Sequence, residues 1–144
     1  MKIIRIGIVG LGRLGFNHAI NIKYATNYAN LTAVCSINTE KLEKAKNKLM
    51  NSHCFPSFKA GINETELDAV VIASPSDQHC GHDIFALKKG LHVFCEKPLG
   101  ILQEECFNIE KVLRKCSNQV FMLWVDVMPI RNMHNTMMAA IYLP

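Results

Sequence analysis

Long apolar runs are missing from this chain. No stretch approaches the roughly 20 residues a helix needs to cross a bilayer, so a helical membrane span is excluded. A paired-cysteine framework is missing too. Cys35, Cys54, Cys80, Cys95, Cys106 and Cys116 contain no C-x-x-C spacing, which removes the common zinc-ribbon and thioredoxin-type arrangements. No leader precedes the first apolar run, which begins at about Ile3, so reduced thiols in a cytoplasmic protein are expected. Cys35 and Cys95 lie inside apolar runs and read as small hydrophobes. Charge of one sign is scarce: 16 basic against 12 acidic residues leave a net +4, too little to argue for nucleic acid. The densest basic stretch, EKLEKAKNKL (40–49), sets Lys41, Lys44 and Lys48 at helical spacing, opposite in phase to Leu42, Ala45 and Leu49, as on a solvated helix face. HCGH (79–82) gathers two histidines and a cysteine, but no second cluster completes a site, so no metal is expected. Internal repeats and low-complexity segments are absent.

What is present is an alternation. The 144 residues suit one domain and suffice to bury roughly 70% of the unfolded surface. KIIRIGIVG (2–10), LTAVCS (31–36), LDAVVIAS (67–74), LHVFC (91–95) and QVFMLWV (119–125) read as buried strands, with a weaker one near HCFPSF (53–58). Helical patterns run over about 14–25, 39–50, 76–89 and 102–117. The third ends in Lys88-Lys89-Gly90, cations in the last turn and glycine beyond it. Strand-helix alternation predicts a doubly wound α/β fold with a parallel sheet, and ligands then bind outside the carboxyl ends of the strands.

The first strand runs into GLGRLG (10–15), a G-x-G-x-x-G loop between a strand and a helix. Gly10 permits the tight turn, Gly12 lets a pyrophosphate approach the backbone, and Gly15 lets the helix pack on the sheet; Arg13 and Leu14 complete the loop. An S-adenosylmethionine-binding methyltransferase would usually place an acid near this strand end, where the chain has Gly7-Ile8-Val9-Gly10. The second strand ends in Ser36, where an acid would accept the ribose 2′-hydroxyl of NAD and repel the 2′-phosphate of NADP. A serine hydroxyl serves either sugar. Lys41 can reach a phosphate and Glu40 blurs the preference, so NAD or NADP is expected, with NADP at least tolerated.

GIVGLGRLGFNHA, DAVVIASPSDQH and KKGLHVFCEKPLG, at their spacing, resemble the cofactor-binding half of the glucose-fructose oxidoreductase and inositol dehydrogenase (Gfo/Idh/MocA) family, over about Ile3 to Leu123. The resemblance implies a Rossmann-type domain and hydride transfer between a carbinol carbon and nicotinamide. It assigns Lys97 of Glu96-Lys97-Pro98 to the catalytic position, with Glu96 able to pair with or orient it, and it raises the chance that Lys97-Pro98 is cis. It also implies that Ser74, Pro75, Ser76 and His79 line the cofactor.

Members of that family continue into an α+β substrate domain, which is expected to be missing here. Similarity ends at about Trp124, before a tail with Met128, Met133, Met137 and Met138. The expected layout is therefore a NAD(P)-binding domain over 1–124 and a divergent tail over 125–144. A reading-frame shift, a splice to a new tail or divergence would each give this pattern. The parent enzyme is then truncated, with a non-catalytic nucleotide-binding or interaction protein as the alternative. Met133, Met137, Ala140 and Ile141 keep helical spacing, which predicts a short tail helix on the domain or on a neighbour; a homo-oligomer through the tail or an exposed sheet edge follows. Neither a nucleic acid nor a membrane is an expected partner.

Overall fold

The computed structural model describes residues 2–116, 118–125 and 137–142. In chain order the elements are β1 (Ile4–Val9), α1 (Arg13–Tyr24), β2 (Ala29–Cys35), α2 (Thr39–Lys48), β3 (His53–Phe55), α3 (Phe58–Glu64), β4 (Ala69–Ile72), α4 (Ser76–Lys88), β5 (His92–Cys95), α5 (Gln103–Leu113), β6 (Val120–Val125) and β7 (Met137–Tyr142). They form one sheet of order β3-β2-β1-β4-β5-β6-β7. The first six strands pair parallel, and β7 runs antiparallel to β6. The expected Rossmann-type order is thus present, and it reverses between β1 and β4, where such sheets open a crevice.

Both faces of the strands are buried, so their sequences read as continuous apolar runs. Val9, Val70, Ile72, Val93, Cys95 and Phe121 pack on one face with Leu87 of α4 and Ile109 and Leu113 of α5. Ile8, Leu31, Val34 and Val71 pack on the other with Ala19 of α1 and Leu42 and Ala45 of α2. Beyond α1 on that second face lies an apolar hollow of about 310 Å³ lined by Ile6, Val71, Phe94 and Met122.

An ion-pair cluster lies at the end of the sheet opposite the crevice. Arg5 in β1 and Lys2 grip Asp68, just ahead of β4, at 3.1 and 2.8 Å. Hydrogen bonds from Arg5 and then Lys2 hold the Asp68 carboxyl far below the usual carboxylate range. This clamp fastens the amino ends of the two central strands. Among the described residues no helix is long and apolar enough to cross a membrane.

Two expectations change. The short helix α3 went unforeseen. The tail helix is corrected: residues 137–142 form β7, in register Phe121↔Ile141 and Leu123↔Ala139, while 126–136, including Met128 and Met133, lie outside the described residues. The reason is the β6 edge. Its unpaired backbone groups bond a passing strand, and that gain overrides the good helix propensity of Met and Ala, which amounts to less than about 1 kcal/mol per residue.

Candidate cofactor site

The crevice begins with backbone. Gly10 sits at φ +91°, and a Cβ there would come within 2.3 Å of the Ala73 carbonyl oxygen. Only glycine permits that turn. A Cβ on Gly15 would meet the Gly10 carbonyl oxygen at 1.8 Å, so glycine at this position lets α1 lie against the loop. Gly12, the residue that opens α1, differs: an added Cβ meets nothing within 4 Å. The fold therefore has room for a Cβ at Gly12, whereas at Gly10 and Gly15 it has none. No side chain caps α1 and no acid lies in its first turn, whereas Asn38 Oδ1 caps α2 by accepting the Lys41 N–H at 2.9 Å. Leaving the positive end of one helix open beside a bare glycine backbone suits a phosphate.

Around this loop is a cavity of about 430 Å³, lined among others by Gly10, Gly12, Ser36, Lys41, Ser74 and Pro75. It joins the ends of β1, β2 and β4, and it brings the expected Ser36 and Lys41 to the glycine loop. Ser36 Oγ accepts the Asn38 N–H at 3.2 Å, so the same hydroxyl that faces the cavity shapes the turn into α2. Arg13 and Leu14 are exposed at the start of α1. Ser76 begins α4, half-buried.

His79 does not line this cavity. It is 1% exposed. Its Nδ1 lies 2.6 Å from the Pro98 carbonyl oxygen and its Nε2 2.7 Å from the Ser74 carbonyl oxygen. His79 therefore ties the loop after β4 to the loop after β5, a positioning role where lining was expected. The α4 residues that do line the cavity are Gln78 and His82, at helical i, i+4 spacing. His82 Nδ1 lies 2.9 Å from Ser74 Oγ. Burial first, and His79 second, push His82 down to about 4, so it is neutral near pH 7.

The loop after β5 carries Glu96 and Lys97. Glu96 is buried and its Oε1 lies 2.6 Å from His18 Nε2 on α1. His18 also packs edge-on against Phe94 at 5.6 Å. His18 stands in the run GFNHA that carried the resemblance, yet nothing in its spacing announced a partner 78 residues away. Lys97 is exposed at the carboxyl end of the sheet, and the Lys97-Pro98 bond is cis. The buried Cys35 thiol, at the crevice wall, is pushed up to about 12 by burial and is unreactive. Among the described residues no group of three or more His, Cys, Asp or Glu side chains gathers for a metal ion.

A family model described as an oxidoreductase family with an NAD-binding Rossmann fold matches residues 4–123. This chain belongs to the Gfo/Idh/MocA family. It is 36% identical over 97 residues to the myo-inositol 2-dehydrogenase of Thermotoga maritima, an alignment covering 67% of this chain and 29% of that protein. The apo scyllo-inositol dehydrogenase of Lactobacillus casei superposes with a TM-score of 0.82 at 40% identity, over 85% of this chain and 36% of that one. The same enzyme with bound NAD(H) and scyllo-inositol matches at 0.81, also at 40% identity and with the same coverage. The chain spans about a third of the length of these relatives. What it holds is their NAD-binding Rossmann domain.

Proposed function

We propose that this chain is the cofactor-binding part of an inositol- or sugar-type oxidoreductase. Gly10, Gly12, Arg13, Leu14 and Gly15 hold the pyrophosphate, Ser36 and Lys41 the adenosine ribose, and the Ser74-Pro75-Ser76 turn the nicotinamide side. The observation that carries this reading is the convergence of the open glycine loop and the Ser36–Lys41 turn on one cavity at the carboxyl ends of the strands. The Glu96-Lys97-Pro98 step leaves the same end of the sheet at β5. A bound nicotinamide supplies the hydride acceptor or donor. Lys97 then exchanges a proton with the substrate oxygen as the carbinol carbon gains or loses hydride. Glu96, held by His18, fixes the backbone from which Lys97 projects. The inositol class is supported by the named activities of the relatives. NADP tolerance is supported by a hydroxyl at Ser36 where an acid would repel the 2′-phosphate. Six cysteines without a disulfide fit a reducing, cytoplasmic setting.

A second reading, a nucleotide-binding protein without turnover, draws on the exposure of Lys97. Proximity supplies much of an enzyme's rate, and an exposed lysine does not orient a polyol by itself. A screen of inositols and sugars for reduction of NAD and NADP separates the two. Turnover that disappears in Lys97→Ala supports the oxidoreductase. Cofactor binding with no turnover on any polyol supports the second reading.

A further inference from the structure

The six cysteines differ in where the fold sends their sulfurs. Cys35 and Cys54 lie on neighbouring strands, but the register Val34↔Cys54 and Cys35↔Phe55 points them to opposite faces of the sheet. Cys95 is fully buried in β5, and Cys116, just past α5, bonds back to the Val112 carbonyl oxygen. Cys80 on α4 and Cys106 on α5 are both half-buried. Along α4, Ile84 and Leu87 follow Cys80 on one side of the helix; along α5, Ile109 and Leu113 follow Cys106. Those four apolar residues pack in one cluster, and Cys80 packs against it. Cys80 Sγ reaches across the seam to the Glu105 carbonyl oxygen at 3.6 Å, the peptide oxygen next to Cys106. By peptide geometry the Cys106 Cα lies about 2.8 Å from that oxygen, so it is within about 6.4 Å of the Cys80 sulfur.

We infer that Cys80 and Cys106 form a reversible disulfide that ties the opening turns of α4 and α5 together. Both thiols start reduced. The co-reactant is a low-molecular-weight disulfide such as glutathione disulfide. The Cys106 thiolate attacks one sulfur of the reagent, expels one glutathione thiolate and becomes a mixed disulfide. The Cys80 thiolate then attacks the Cys106 sulfur and expels the second glutathione. The two protein thiols give up two electrons and two protons, and the reagent takes them up as two thiols. The order follows from the surroundings of Cys80. Burial first, and the Glu105 carboxylate second, push its thiol up. A raised thiol ionises less readily, so Cys80 resolves the bond that Cys106 begins. The link closes beside the crevice: α4 opens at Ser76 and carries Gln78 and His82 of the cavity, while α5 follows the loop that holds Lys97.

Equilibrating the full chain in glutathione buffers of stepped oxidation tests this. Samples are alkylated, cut with trypsin without reduction and read by mass spectrometry, with Cys80→Ser and Cys106→Ser treated alike. The expected product is a monomer in which peptide 60–88 is joined to peptide 90–111, with fragmentation placing the bond at Cys106 and not at Cys95. Dithiothreitol reverses it. The thermal midpoint rises by several degrees on linking, because a cross-link restricts the unfolded chain, and it does not rise in either serine variant. Glutathione adducts at Cys80 and Cys106 without a link overturn the inference. So does a link to any other cysteine or between two chains, and so do thiols that stay reduced at every ratio. A midpoint lowered by linking also overturns it, because the helices would then have to shift before the bond could close.

Discussion

Asp83 lies in the core beside α5 and β5, 0% exposed, with no hydrogen-bond partner for either carboxylate oxygen among the described residues. The neighbouring Cys95 thiol donates to the Glu96 carbonyl oxygen at 3.2 Å. Burial pushes the Asp83 carboxyl up to about 8. A raised acid keeps its proton in the folded state after the unfolded chain has released it. Its stabilisation is therefore complete below the ordinary carboxyl range and is lost as pH climbs toward about 8. Urea unfolding between pH 5 and 8 is expected to show stability falling by up to about 1.4 kcal/mol per pH unit. Asp83→Asn should flatten that slope; parallel profiles for the two proteins would rule the assignment out. His79 shows the limit of sequence at this scale. Gln78, His79 and His82 occupy one short segment, and only the docking of α4 decides which face the crevice and which faces the core.

Among the elements, α3 escaped the sequence because its seven residues, FKAGINE, are too few for a periodic pattern and carry a glycine inside. Gly61 is there for packing. A Cβ on it would come within 2.5 Å of Cys35 Sγ and 3.3 Å of the Phe55 ring. Helix propensity alone favours Gly61→Ala by about 1 kcal/mol, but overpacking against a buried strand typically costs about 1–3 kcal/mol. The clash should win, so chemical denaturation is expected to find Gly61→Ala less stable; a gain in stability would mean that α3 shifts freely. The five strong strands and four long helices were legible because their apolar periods are unambiguous. The glycine loop and the Glu-Lys-Pro step were legible because their context is local. Partnerships across the sheet, such as His18 with Glu96, were not, since no short-range pattern encodes them. The tail failed for the same reason: MMAAIY fits a helix or a strand, and β6 decides.

The whole molecule is a sheet closed at one edge by the three-residue β3 and at the other by β7. Deleting residues 126–144 uncovers the backbone of β6, next to the apolar hollow of Phe94 and Met122. Light scattering is expected to show the shortened protein associating into larger species than the full chain. Equal, monomeric behaviour of both would mean that β7 protects nothing.

That the crevice between β1 and β4 holds a nicotinamide dinucleotide is tested most directly by titrating NADH into the full chain and into Gly12→Val, with the thermal midpoint of each protein recorded. A Cβ added at Gly12 meets nothing within 4 Å in the fold, and it would lie where the proposed site holds the pyrophosphate. NADH should bind the unmodified chain and bind Gly12→Val at least about tenfold more weakly, with the two midpoints within a few degrees. Equal binding by both proteins, or none by the unmodified chain, would contradict it.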